Sequence, residues 1–184
     1  MQHTRFTAKK VAYMALLTSM ALILGYIEKL IPITEAIPGI KLGLSNVVIL
    51  FGLYMLGAGD AFVLMVLKVV LSGLLFGSPS VMMYSFGGGL LSWIVMTLLS
   101  RIKGISIIGV SAAGAVAHNV GQIIVAILVV KTWGLIYSLL PWLMLAAVIT
   151  GLLTGIVARM VIAALEKSGA LKGLRREKSP KAGE

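Results

Sequence analysis

The side chains of this sequence that could do chemistry are Asn46, Lys68, His118, Asn119 and Gln122, and all lie within apolar runs. His118 and Gln122 stand at i and i+4 in "GAVAHNVGQII", so a helix puts them on one face. Asn119 points about 100° away from them. Lys68 sits in "VLMVLKVVLSGLLFG" with Ser72 one turn on, and Asn46 sits in "KLGLSNVVIL", one turn from Lys41. An ionisable group inside a membrane is costly and faces a cavity or a partner. One reading is a polar pocket between helices. Lys68 would supply positive charge there, and Asn46, His118 and Gln122 hydrogen bonds, for an anionic or carbonyl-rich ligand. The plainer reading makes the amides interhelical glue, worth about 0.6 kcal/mol each. In that reading Lys68 snorkels toward an interface.

Catalysis finds little to work with. The chain has six acidic residues and no cysteine. The acids form no pair within an apolar run, and the single aspartate, Asp60, falls at a turn. A paired-carboxylate or two-metal site is therefore hard to build. His3 and His118 alone cannot make a metal cluster. No G-x-x-x-x-G-K-[ST] loop cradles a nucleotide, and no acid is placed to orient His118 behind a serine. The expectation is a protein without cofactor or enzymatic activity.

The elements that position these residues follow from composition. Of 184 residues, 59% are hydrophobic, and mean hydropathy is +1.05. A soluble domain of this size could not hide so much apolar surface. A span needs ~20 mainly apolar residues. Six candidates lie near 9–30, 42–57, 60–77, 82–100, 105–131 and 138–165, the second and third being short. They are divided by "IPITEAIPG", "LGAGD", "FGSPS", "RIKG" and "KTWGLIYSLLP". The first run reads as a span and not as a removable signal, because it leads into Glu28 and Lys29 without a small-residue cleavage site. The net charge of +10 resembles a nucleic-acid signal until the charges are placed. One side would hold Arg5, Lys9, Lys10, Arg101, Lys103, Lys167 and the tail cations, and the other only Lys29, Lys41 and Lys131 with Glu28 and Glu35. By the positive-inside rule both termini are cytoplasmic, and no nucleic acid is implied. The expected organisation is an all-α six-helix membrane domain over residues 1–166, then a basic cytoplasmic tail over 167–184. The tail is either solvated or in contact with anionic membrane lipid.

Three further features bear on function. The loop "LIPITEAIPGIKLG", with Pro32 and Pro38, is either an outer lid or an ordinary connection. Gly87, Gly88 and Gly89 serve close helix packing or unwind a turn beside a cavity. Ala8, Ala12, Ala15 and Ser19 form a smooth stripe along the first helix, suited to internal packing or to docking a partner.

The segments "PGIKLGLSNVVILFGLYMLG", "LLFGSPSVMMYSFGGGLLSWIVM" and "GISIIGVSAAGAVAHNVGQI" resemble the bacterial family of Gx transporters, also labelled heptaprenyl diphosphate synthase component I. The resemblance runs from about Ala8 to Leu165. That family is similar to the substrate-binding S components of energy-coupling factor (ECF) transporters. The resemblance implies a six-helix bundle in the bacterial cytoplasmic membrane, with an outward pocket capped by the loop after the first helix. It also implies docking of the first helix onto a membrane scaffold driven by two ATPase subunits. S components carry an A-x-x-x-A pattern there; Ala8 with Ala12 and Ala15 with Ser19 fit it, Ser19 being a departure. At Lys68 the family leads one to expect arginine, and lysine keeps the charge without the bidentate fork. The expected substrate-binding set is Lys41, Asn46, Lys68, Ser72, Tyr84, His118, Asn119 and Gln122. The enzyme label meets a physical objection: prenyl diphosphate synthases hold magnesium through D-D-x-x-D motifs, and this chain has none.

Three functions are compatible with the sequence. The first is an S component that binds a small anionic or amphipathic molecule, with an isoprenoid, quinone or flavin relationship among the options. The second is a non-catalytic membrane partner of a polyprenyl diphosphate synthase or of a redox system. The third is a passive channel, which the small-residue packing disfavours.

Overall fold

A computed structural model describes residues 8–30, 44–131 and 134–168. Lys41, the proline-containing loop and the basic tail lie outside the described residues. Six helices follow in order: α1 (Ala8–Leu30), α2 (Leu44–Met55), α3 (Ala58–Phe76), α4 (Pro79–Leu99), α5 (Ile107–Val130) and α6 (Gly134–Lys167). Five are long and apolar enough to cross a membrane, so this is a multi-pass membrane protein. The exception is α2, at 12 residues, or about 18 Å at 1.5 Å per residue.

Local chemistry sets the helix ends. Ser78 caps α4 by accepting from the Val81 N–H, with Pro79 at the first helical position. Ser106 caps α5 by accepting from the Gly109 N–H at 3.1 Å. Gly57, at φ 99°, turns the chain between α2 and α3, a conformation that costs glycine little. The last helix begins earlier than the break at "KTWGLIYSLLP" suggests. It starts at Gly134 and carries Pro141 inside it, as membrane helices can when neighbouring groups satisfy the freed carbonyl.

Side-chain contacts establish the topology. Lys10 pairs with Asp60 at 2.7 Å, and the rings of Tyr26 and Phe76 lie 5.1 Å apart. Contact at both ends makes α1 and α3 parallel. Helices that follow one another in the chain pack antiparallel. Trp93 on α4 donates to the Ala58 carbonyl of α3 at 2.9 Å, and Asn119 on α5 donates to the Leu143 carbonyl of α6 at 2.9 Å. The helix starts at Ala8 and Ala58 and the end of α6 therefore share one end of the bundle, with exposed Arg101 and Lys103 between α4 and α5.

Between lipid and protein there is little hydrophobic preference, so packing and hydrogen bonds hold such bundles together. The α4–α5 seam shows how. A Cβ on Gly121 would stand 2.5 Å from the Gly87 carbonyl oxygen and 2.9 Å from the Gly88 Cα. The α5–α6 seam is similar: a Cβ on Gly151 would meet the Ala112 Cα at 2.7 Å. The three glycines at 87–89 thus pack within an unbroken helix. Against these tight seams, α2 is apolar nearly all round, and its Val47, Val48, Ile49, Leu50 and Leu53 are buried among α1, α3 and α6. Such a helix belongs in a core, and there its short length costs no lipid contact.

Candidate functional site

Antiparallel packing around a short central helix leaves a cavity of about 320 Å³ inside the bundle. The first turn of α2 opens onto it with Ser45 and Asn46, and α3 adds Lys68 and Ser72. The far wall carries Ser85 and Ser92 on α4, Ser111, His118 and Asn119 on α5, and Thr150 and Thr154 on α6. Met65, Val69, Met82 and Met96 supply apolar surface between them. From α1 come Ala21, Gly25 and Glu28. This mixture, mostly apolar with a few converging polar groups, is typical of small-molecule sites.

Lys68 is the centre of positive charge. It lies midway along α3, and its ammonium does not snorkel along the helix: Nζ donates to Asn46 Oδ1 at 3.0 Å. The two residues thereby fasten α2 to α3 at the cavity edge. The unpaired N–H groups of a helix's first turn add positive potential, so the start of α2 reinforces the charge of Lys68. Glu28 lies in the last turn of α1 and is buried, at 6% exposure.

The hydroxyls of Ser72, Thr150 and Thr154 are oriented by their own helices. Ser72 donates to the Val69 carbonyl at 3.3 Å. Thr150 donates to the Ala146 carbonyl at 2.9 Å, and Thr154 to the Thr150 carbonyl at 2.7 Å. The hydroxyls of Ser111 and Thr154 meet at 3.2 Å across the α5–α6 seam.

The structure gathers Asn46, Lys68, Ser72, His118 and Asn119 around one cavity. Asn119 has both of the roles the sequence left open, since it borders the cavity and braces α6. Gln122 and Tyr84 are not part of the wall. Gln122 shares the face of His118, but packs into the α4–α5 seam: a Cβ on Gly88 would stand 2.7 Å from its Cγ and 3.0 Å from the His118 Cε1. Tyr84 is half-buried on α4. Sequence reasoning set Glu28 on the outer side without seeing it as a wall residue, and it missed the hydroxyls of α4, α5 and α6. The i, i+4 spacing of Thr150 and Thr154 in a span was a usable signal for the latter. The stripe of Ala8, Ala12, Ala15 and Ser19 is exposed along its whole length, while Met14, Thr18 and Ala21 face inward. Among the described residues no group of three or more His, Cys, Asp or Glu side chains could hold a metal ion.

Comparison with known proteins places the chain. Residues 17–161 match the family described as heptaprenyl diphosphate synthase component I, and the chain belongs to that family. No curated protein and no solved structure matches it.

Proposed function

We propose that this member of the family is the membrane-embedded solute-binding subunit of an uptake transporter of the energy-coupling factor type, taking a small anionic or amphipathic molecule. The observation that carries the reading is the cavity, in which Lys68 and Asn46 on one wall face hydroxyls, His118 and Asn119 on the other. A purely structural bundle gains nothing from a mid-membrane lysine beside a void, because removing a charge from water costs several kcal/mol. In this reading both termini are cytoplasmic, in a bacterial membrane, and the cavity opens at the opposite end near Glu28 and Gly77. The exposed stripe from Ala8 to Ser19 meets a transmembrane scaffold, and two ATPase subunits supply the energy. Solute binding to the isolated chain is then independent of ATP.

The family description favours a second reading: a non-catalytic membrane partner of heptaprenyl diphosphate synthase. Both readings assign the chemistry to another chain. Mass spectrometry of the protein purified in mild detergent separates them. A retained anionic solute, lost in Lys68→Met, with scaffold and ATPases alongside, supports the transporter. Copurification of a synthase with an empty cavity overturns it in favour of the partner subunit.

A further inference from the structure

The cavity wall marks where the cavity meets the surface of the bundle. Among the described residues that line it, only Phe76, Gly77 and Val81 are exposed. They stand together, at the end of α3, in the turn after it and in the first turn of α4. None carries a polar side chain. At the same end of the bundle the polar wall residues Glu28 and Ser45 are buried, at 6% and 4% exposure. The surface around the mouth is hydrocarbon as well: Leu74 and Leu75 on α3 and Met83 on α4 are exposed. In a membrane protein a contiguous exposed apolar surface of this kind faces lipid.

The α3–α4 seam is built to yield at this end. At its other end it is held by the hydrogen bond from Trp93 to the Ala58 carbonyl, at 2.9 Å, and by the rings of Trp93 and Phe62, 4.9 Å apart. Beside the mouth, Met82 lies over Gly73: a Cβ on Gly73 would stand 2.8 Å from the Met82 sulfur. Methionine is unbranched, with three rotatable bonds, so Met82 turns aside without breaking a hydrogen bond. Only Gly77 and Ser78 join the two helices. The helix ends therefore stay together, and the aperture opens through the Met82 side chain. We propose that the cavity is loaded from the lipid phase through this mouth, by an amphipathic molecule that has first partitioned into the membrane. Its polar part lies among the polar groups around Asn119 and Thr150, and its apolar part against Met82, Phe76 and Val81. A solute confined to water would have to shed its hydration at an apolar lip that offers nothing in exchange. The proposal deepens the transporter reading, rests on the cavity being the solute site, and selects the amphipathic class within it.

The chain has no cysteine, so Val81→Cys can carry a nitroxide through a disulfide as the sole label on the full-length protein in lipid nanodiscs. Collisional relaxation by oxygen reports lipid around the label, and relaxation by a nickel chelate reports water. Val81→Cys is expected to follow a lipid-facing reference, Leu74→Cys, and not a loop reference, Lys103→Cys. A profile like that of Lys103→Cys overturns loading from lipid. The same label, bulkier than valine, also obstructs the mouth. With para-(trifluorobutyl)benzoate as the probe, fluorine NMR reads both its affinity and its exchange rate. The label on Val81→Cys should slow exchange by at least about tenfold, the label on Leu74→Cys should not, and release of the label by a reductant should restore the rate. Unchanged exchange overturns this mouth and leaves the solute site standing. No bound signal at millimolar probe overturns the site itself. Phe76→Cys, on the other lip, repeats the test should Val81→Cys not fold.

Discussion

Two antiparallel seams of this bundle border the same cavity and are built on opposite principles. At the α4–α5 seam, glycines bring backbone onto backbone, and a side chain added at Gly121 has nowhere to go. At the α2–α3 seam the helices are joined near the cavity by a charge and an amide, Lys68 and Asn46, at 3.0 Å. The first seam is set by shape, with Gln122 and Ser92 fitted against its glycines. The second has polarity and tolerates the empty volume beside it. A membrane protein needs both, because lipid does not drive helices together and a ligand must find groups that answer it. The difference suggests that α4, α5 and α6 are the fixed wall and that α2 and α3 present the charge.

Substitutions can break or sharpen that contrast. Gly121→Val should have the largest effect, destabilising by at least about 3 kcal/mol through overpacking against immovable backbone. A fall in melting temperature with loss of monodispersity would show it, whereas a native-like profile would mean the seam is looser than described. Gly59→Ala is the control: nothing lies within 4 Å of its Cβ position, and the change should be neutral or stabilise α3 by about 0.5–1 kcal/mol. Lys68→Met should leave the bundle folded while weakening carboxylate binding by roughly tenfold to a hundredfold. Titration checks this, and unchanged affinity would shift the charge-bearing role away from the α2–α3 seam. Asn119→Ala removes one brace between α5 and α6, and should lower stability by about 0.6 kcal/mol, measurable as a small shift in thermal midpoint. Smallest is Lys10→Ala. Its partner Asp60 is near the surface, so the pair is worth ~0–1 kcal/mol, and the difference should vanish in high salt.

Much of the fold was legible because lipid imposes a simple rule: apolar length and turn residues mark the helices, and α3 to α5 end within a few residues of where those signals stand. The start of α6 was less legible. Pro141 reads as a breaker in water, but in a membrane bundle it can sit within a helix. The site was legible wherever a polar type interrupts hydrocarbon, as at Lys68, Asn46, His118 and Asn119. It was not legible where facing depends on the neighbour. His118 and Gln122 share a helix face, yet only His118 reaches the cavity, because α4 approaches closely enough at Gly88 to cover Gln122. Glu28 was overlooked as a wall residue for a related reason. The expected span already reached residue 30, but a charge so near the end of an apolar run looks solvated, and only the packing of α1 shows it buried.

The 12 residues of α2 have a consequence for assembly. The described helix falls below the length that crosses a bilayer alone. It is joined to α3 through the tight turn at Gly57, and the two form a helical hairpin in which α3 supplies the hydrophobic length that α2 lacks. The Lys68–Asn46 contact lies within that hairpin, so the lysine finds its amide partner on the neighbouring helix in sequence and needs none of α4, α5 or α6 to reach it.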